Sequence, residues 1–290
     1  MLPVIVTGVG GGGNGEQIVK ALRLAETPYE IVGTDMSDRS SGLMAVDHSY
    51  VVPPAAHAEY IPTLLKLARR HAVRVLFPGS DPELEVLSQA RARLTDAGLL
   101  LPLNPAEVID LCMDKVRTAE TLTRLGFHVP AFRHIRRVED ALTFPHLPAV
   151  LKPSVGGGGS INVFLVQDEM ELAGGARQLL AVCEQVTVQA YVGSPDAEYT
   201  VGVLHDLDGH LLNSIAVRRD LRSALSRRIA VPNRTAKSDL GPTLVISSGI
   251  SQGDVGEFPE VTRPCERVAA ALKARGPINI QCRLVGSDVF

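Results

Sequence analysis

The chain has 290 residues, a formal net charge of −3, no tryptophan and 4% aromatic residues. This length allows two or three domains with substantial cores. The charge and the scarcity of aromatic rings argue against nucleic-acid binding, which favours a basic face and stacking side chains. No apolar run approaches the roughly 20 residues of a membrane span. We therefore expect a cytoplasmic protein that binds neither nucleic acid nor membranes. Its four widely spaced cysteines predict reduced thiols rather than a zinc site or disulfides.

Apolar strands alternate with amphipathic helices over residues 3–103. The first apolar run, 3–9, leads into a glycine-rich loop, a helix over 16–24 and a strand over 30–34. Helices around 60–72 and 82–97 then alternate with strands over 73–77 and 99–103. This alternation predicts a doubly wound parallel sheet.

The first glycine loop leaves two functions open. Gly8, Gly10 and Gly13 fit the pattern G-x-G-x-x-G, and Asp35 ends the second strand, where a ribose-binding carboxylate would lie. An NAD(P)-dependent oxidoreductase is therefore an alternative function. A tight turn that packs a helix against a sheet needs the same glycines, so the pattern alone does not decide.

The strand over 73–77 is followed by three carboxylates, Asp81, Glu83 and Glu85. They lie where a parallel sheet binds ligands and could contact an amine or a hydroxyl-rich substrate. The structural alternative is that Asp81 caps the helix that Pro82 begins. A second polar segment, 205–210, contains carboxylates and imidazoles. Its Asp208-Gly209 pair predicts a hairpin turn. The spacing of a calcium loop is missing, which argues against a metal site.

A second glycine run separates two apolar, strand-like segments and follows Lys152. Its members are Gly156, Gly157, Gly158 and Gly159, with Ser160 directly after them. Glycine N–H groups approach a polyphosphate closely because no β-carbon intervenes. The lysine precedes the glycines, which differs from a Walker P-loop. The segment predicts a phosphate-binding lid, with a flexible turn as the alternative.

Lys115 occupies the first turn of a predicted helix that Asp114 caps. The helix dipole disfavours a cation there, and an anionic ligand would remove that conflict. A solvated surface lysine is the alternative interpretation of this position.

Several separated motifs occur in the order found in one superfamily. They are the Asp114-Lys115 helix start, Lys152 before its glycines, the 189–198 segment and the strand 279–283. Together they resemble the ATP-grasp enzymes, in particular the large subunit of carbamoyl phosphate synthetase and related carboxylate-amine ligases. The resemblance implies a Rossmann-like pre-ATP-grasp domain over residues 1–108 and an ATP-grasp domain over 109–290, with a lid subdomain at about 128–185.

The resemblance also implies a set of site residues and cofactors. Lys115 and Lys152 would contact the phosphates of ATP, with the second glycine run and Ser160 closing over them. The nucleoside would be bound by Gln189, Tyr191, Val192 and Glu198, and Gln281 would be a Mg²⁺ ligand. Four arginines lie where the family places cations near an acyl phosphate, of which Arg218 and Arg228 are the candidate catalytic residues; the others are Arg219 and Arg227. A solvated basic face is an equal alternative for all four.

One departure from the family pattern concerns the end of the chain. ATP-grasp enzymes usually follow the strand that carries Gln281 with a Glu-x-Asn pair, which this sequence does not contain before Phe290. We therefore expect that the C-terminal end of the fold is missing, either because the chain is a fragment or because its metal site is incomplete.

The predicted function is an ATP- and Mg²⁺-dependent carboxylate-amine ligase that acts on small-molecule carboxylates and amines through an acyl phosphate. Besides the oxidoreductase, a non-catalytic nucleotide-binding regulator is a third alternative. The sequence leaves the identity of the substrates open, and a homodimer is compatible with it.

Overall fold

The computed structural model describes residues 1–155 and 162–290. The chain divides into two compact units, Met1–Ile109 and Asp110–Phe290. Among the described residues, no helix is both long enough and apolar enough to cross a membrane.

A parallel sheet of four strands in the order β3-β2-β1-β4 forms the centre of Met1–Ile109. The strands are β1 (Leu2–Val6), β2 (Tyr29–Asp35), β3 (His48–Val51) and β4 (Val75–Phe77). The helices are α1 (Asn14–Leu24), α2 (Tyr60–Arg70), α3 (Asp81–Gln89), α4 (Arg91–Asp96) and α5 (Ala106–Cys112), which contains the division between the units. Central strands are apolar because both sheet faces are covered. The predicted parallel α/β architecture is confirmed.

One strand of this unit was not predicted, and two local predictions were wrong. The edge strand β3 was missed because its sequence, HSYV, lacks an apolar run. Residues 99–103 form no strand; Leu100 makes only an isolated parallel bridge to Val75. The helix expected over 82–97 is interrupted at Ala90, where α3 ends and α4 begins.

An antiparallel sheet in the order β5-β8-β6-β7 begins the second unit. Its strands are β5 (Phe132–Ile135), β6 (Ala149–Pro153), β7 (Phe164–Val166) and β8 (Val186–Ala190), and its helices are α6 (Lys115–Arg124), α7 (Val138–Leu142) and α8 (Glu169–Leu180). Leu151 and Val188 join Leu172 of α8 in one buried core. Because side chains alternate along a strand, Lys152 and Gln189 lie on the opposite face.

A second antiparallel sheet has the order β13-β10-β9-β14-β15. Its strands are β9 (Glu198–His205), β10 (Leu211–Arg219), β13 (Gly253–Gly256), β14 (Pro277–Val285) and β15 (Asp288–Val289); β11 (Arg227–Pro232) pairs separately with β12 (Thr243–Ser247). Helix α9 (Pro259–Ala271) packs on one face of the larger sheet. The predicted turn in 205–210 is confirmed as the connection of β9 to β10, with Gly209 at φ +96°.

Candidate nucleotide-binding site

Lys152 extends from β6 on the face that α7 and α8 do not cover. Its Nζ atom donates a hydrogen bond to Oε1 of Gln189, on the neighbouring strand β8, at 2.6 Å. Burial lowers the pKa of Lys152 to about 8, and the positive charge of Lys115 contributes to the decrease. A half-buried ammonium group with a neutral partner is electrostatically unfavourable, so this position would gain stability from a bound anion.

The start of α6 is fixed to the end of β6 by two hydrogen bonds. The Lys115 N–H donates to the Ser154 carbonyl at 3.0 Å, and the Ser154 hydroxyl donates to Oδ1 of Asp114 at 3.0 Å. The same Asp114 oxygen caps the helix by accepting the N–H of Val116 at 2.9 Å. The positive end of the helix dipole and Lys115 are therefore held beside the strand that carries Lys152.

The structure describes the residue that precedes the predicted phosphate-binding loop. Val155 forms an isolated antiparallel bridge with Asp114, which fixes the point where the loop begins. The four glycines and the serine assigned to phosphate binding, Gly156, Gly157, Gly158, Gly159 and Ser160, lie outside the described residues. Their assignment remains a prediction.

The segment after β8 carries two predicted nucleoside contacts, Tyr191 and Val192. The hydroxyl of Tyr191 is buried and bonds to both the N–H and the carbonyl of Val245, at 2.9 and 3.2 Å. The Tyr191 ring lies 4.3 Å from the guanidinium carbon of Arg283, which also donates to the Val192 carbonyl at 3.1 Å. The Tyr191 side chain and the Val192 carbonyl thus already have partners within the protein, and backbone contacts to adenine remain a prediction.

Glu198, predicted to bind the ribose, is buried between two arginines. Its Oε2 atom accepts from Nη2 and Nε of Arg283 at 2.9 and 3.0 Å, and its Oε1 atom accepts from Nη1 of Arg219 at 3.3 Å. Burial lowers the pKa of the Arg219 guanidinium, while the Glu198 charge opposes that decrease. The carboxylate is therefore shared by two guanidinium groups, and a ribose hydroxyl would have to share its oxygens.

Arg283 is the residue whose role sequence reasoning missed. It connects Glu198 with the carbonyls of Val192, Gly193 and Val245. It therefore orders the segment after β8 that is predicted to contact adenine. Its position two residues after Gln281 on one strand was the available signal, because alternate residues of a strand share a face.

Gln281 lies on the same face of β14 as Arg283, paired with Thr200 of β9. Its side chain is exposed, whereas its neighbour Cys282 packs under α9. Mg²⁺ takes six oxygen ligands and prefers carboxylates. In the described part of the chain, the two clusters of potential metal ligands lie elsewhere, and Glu198 is already paired with arginines. Among the described residues, Gln281 therefore does not lie in a cluster of carboxylate or imidazole ligands, and its role as a Mg²⁺ ligand stays a prediction.

The structure separates the four candidate arginines. Arg219 lies beside Glu198, but Arg218 lies on the opposite face of β10, with its guanidinium carbon 5.8 Å from the Phe258 ring centroid and an ion pair to Asp254 at 2.6 Å. Arg227 and Arg228 are exposed on β11. Of the two candidate catalytic residues, Arg218 is therefore not brought together with Glu198 and Gln281, and for Arg228 the basic surface remains an equal alternative.

The first glycine loop is closed by Asp35. One carboxylate oxygen accepts the Gly10 N–H at 2.7 Å, and the other accepts the Ser37 N–H at 3.0 Å and the Ser40 hydroxyl at 2.6 Å. A β-carbon at Gly15 would lie 2.3 Å from the Gly8 carbonyl oxygen, so this glycine serves close helix packing. Asp35 thus already holds the loop together, which weakens the argument for a ribose-binding carboxylate.

Of the three carboxylates after β4, Glu83 has structural partners, whereas Asp81 and Glu85 are exposed. Asp81 is the first residue of α3 rather than its cap, a position that Ser80 occupies, so the predicted capping role was wrong by one residue. Glu83 is buried and accepts hydrogen bonds from Tyr60 at 3.0 Å and Ser80 at 2.8 Å. Burial raises the pKa of Glu83.

Comparison with known proteins extends these observations. The family model described as "PylC-like, N-terminal domain" matches residues 5–101. A D-alanine–D-alanine ligase from Syntrophotalea carbinolica is 38% identical over 108 residues, which are 37% of this chain and 33% of the ligase. The chain thus matches about a third of the length of this curated relative.

Solved structures resemble nearly the whole chain. The biotin carboxylase domain of a 2-oxoglutarate carboxylase from Hydrogenobacter thermophilus, in complex with ADP and magnesium, aligns with 99% of this chain and 62% of its own length (TM-score 0.68, 16% identity). A D-alanine–D-alanine ligase from Bacillus anthracis aligns with 100% of this chain and 84% of its own length (TM-score 0.60, 17% identity). These similarities confirm the predicted fold class.

Proposed function

We propose that this chain is a member of the ATP-grasp superfamily, that it binds ATP in the unit Asp110–Phe290, and that it contributes to a carboxylate-amine ligase. The observation that carries this proposal is the position of Lys152. Its ammonium group has a lowered pKa, a neutral hydrogen-bond partner in Gln189, and the start of α6 with Lys115 beside it. A polyphosphate is a ligand that this arrangement of positive charge would favour.

The proposed site has a phosphate end and a nucleoside end. Lys115 and Lys152 contact the phosphates, and the glycine run that follows β6 closes over them. Gln189, Tyr191, Val192 and Glu198 form the nucleoside end. The hydrogen bond between Lys152 and Gln189 supports this arrangement, because one residue proposed for each end lies on adjacent strands of one sheet.

The proposed reaction follows from the chemistry of a carboxylate, which is a poor electrophile. A carboxylate oxygen of the substrate attacks the γ-phosphorus of ATP, and ADP leaves. An amine nitrogen then attacks the carbonyl carbon of the acyl phosphate, loses a proton, and displaces inorganic phosphate. Lys115 and Lys152 would neutralise phosphate charge, and the closed lid would exclude water from the acyl phosphate. ATP and Mg²⁺ are the cofactors of this proposal.

The enzymes to which this chain is similar include D-alanine–D-alanine ligases and a biotin carboxylase domain, all of them catalysts. A carbamoyl phosphate synthetase-like acyl phosphate mechanism is a finer proposal that depends on the motif at Gln281. The substrates, the reaction of the whole protein and its cytoplasmic location belong to the same proposal.

Calorimetric titration with ATP and Mg²⁺, compared with NAD and NADP, tests the nucleotide class. We expect ATP binding and no saturable binding of either dinucleotide. Tight NAD or NADP binding that disappears in Asp35→Ala, together with no ATP binding, would favour the oxidoreductase instead.

Release of ADP tests the ligase step separately. We expect ADP to accumulate only when a carboxylate and an amine are both present, from a panel of amino and hydroxy acids with ammonia and amino acids as nucleophiles. ATP binding that is accompanied by no ADP release with any pair would favour the non-catalytic regulator.

A further inference from the structure

A cluster of two histidines and one glutamate lies in the unit Met1–Ile109, which the proposed function leaves without a described chemical role. Glu30 belongs to β2, His48 begins the edge strand β3, and His71 follows the last residue of α2. In the parallel pairing of β2 with β3, Val32 lies opposite His48. Glu30 therefore shares a sheet face with His48, because residues two apart on a strand point the same way.

The ligand atoms of the cluster are close enough to share one ion. One potential ligand atom from each of the three residues lies within 4.8 Å of the other two. The Nε2 atom of His48 is 2.8 Å from Oε1 of Glu30, and the centroids of the His48 and His71 rings are 4.3 Å apart. A metal ion between these groups would replace the hydrogen bond of Glu30 with His48.

A neighbouring side chain already orients one imidazole. The Tyr50 hydroxyl, two residues after His48 on β3, bonds Nε2 of His71 at 2.8 Å. Hydrogen bonds of this kind fix the ring orientation of metal-ligating histidines. The three ligand residues are half-buried, so an ion could reach them and retain water in the remaining coordination positions.

The chain contains a second group of potential ligands that serves as an internal comparison. Asp206, Asp208 and His210 lie in the turn between β9 and β10. Oδ1 of Asp206 accepts the N–H groups of Asp208 and His210 at 2.9 and 2.8 Å, so this carboxylate already serves the turn. This second group offers one imidazole and two carboxylates. Two of its residues are exposed, and all three belong to one turn.

We propose that Glu30, His48 and His71 bind one divalent transition-metal ion, with Zn²⁺ as the ion that suits two imidazoles and a carboxylate. The ion would connect the edge strand β3 and strand β2 with the end of α2. This proposal concerns Met1–Ile109 alone and does not depend on ATP binding by the other unit.

Titration of the full, chelator-treated chain with Zn²⁺ tests the proposal. We expect one tight site in the wild type, at least roughly tenfold weaker binding in the double variant His48→Ala/His71→Ala, and unchanged affinity in Asp206→Asn/His210→Asn. Equal affinity of the wild type and the His48→Ala/His71→Ala variant would overturn the proposal, as would no binding by the wild type or a loss confined to the 206/210 variant.

Three further measurements guard against misinterpretation. Circular dichroism in the presence of chelator must show that the variants are folded. The variant Glu30→Gln is a milder change that retains the side-chain volume, and we expect it to weaken Zn²⁺ binding. Co²⁺ substituted for Zn²⁺ should give a visible spectrum of nitrogen and oxygen ligands that disappears in His48→Ala/His71→Ala. A thiolate-to-cobalt charge-transfer band would assign the ion to cysteine and overturn the proposal.

Discussion

Two charged regions of the unit Asp110–Phe290 differ in how completely their charges are balanced. Around Glu198, one buried carboxylate accepts from two arginines, which also donate to backbone carbonyls. Around Lys152, an ammonium with a lowered pKa bonds a neutral amide and lies near a second lysine. The first arrangement pairs both cations with one carboxylate and orders the chain, although the buried Nε of Arg219 has no hydrogen-bond partner among the described residues. The second becomes favourable when an anion arrives, which is why we assign it to a ligand.

The largest expected effect follows from removing the carboxylate of Glu198. Glu198→Ala leaves Arg219 and Arg283 buried without their carboxylate, so we expect a loss of about 3 to 5 kcal/mol in the free energy of unfolding, measured by urea denaturation. Asp254→Ala is the matched control, because it breaks an exposed ion pair with Arg218 and should change stability little. Equal effects of the two substitutions would show that the Glu198 network does not hold the fold.

The next effect concerns the region around Lys152. Lys152→Ala should weaken ATP binding by about 1.5 to 3 kcal/mol, the scale of a charge-assisted hydrogen bond. Calorimetric titration measures it, with the exposed Lys237→Ala as control. An unchanged dissociation constant in Lys152→Ala would remove this lysine from the phosphate site and, with it, the central argument for the proposed function.

The pH dependence sharpens the comparison. The folded-state pKa of Lys152, about 8, lies below its ordinary value of 10.5. The unfolded chain therefore binds more protons between these values, and the stability of the ATP-free protein rises with pH across that window. ATP favours the protonated form, so its affinity should fall as pH rises above 8, by roughly tenfold between pH 7 and 9. Lys152→Met should lack this component, and identical pH profiles of both proteins would contradict the assignment.

The smallest effect separates a helix cap that serves the site from one that serves the fold alone. Asp114→Ala and Asp168→Ala each remove a carboxylate that caps a helix, of α6 and α8 respectively. Each should cost about 1 kcal/mol of stability. We expect only Asp114→Ala to weaken ATP binding as well, because Asp114 also holds Ser154 beside Lys152. Equal ATP affinities of the two variants would argue against this positioning role.

The sequence predicted those elements whose cause is local. Strands β1 and β2 follow from continuous apolar runs, the cap of α6 from Asp114, and the β9–β10 turn from Asp208-Gly209. The edge strand β3 was missed because half-exposed edge residues need no apolar pattern. The break at Ala90 was missed because no glycine or proline marks it.

For the site, the sequence by itself determined which residues could carry charge and where strand alternation would place them. It indicated Lys115, Lys152 and Gln189 through motif order, but it could not show that Lys152 bonds Gln189 or that Glu198 is shared by Arg219 and Arg283. Those facts depend on strand register and on which sheet face is covered, because pairing brings together residues far apart in the chain. The tertiary structure alone decided that Arg219 faces Glu198 while Arg218 faces Phe258, since a shift of one residue along a strand reverses the face.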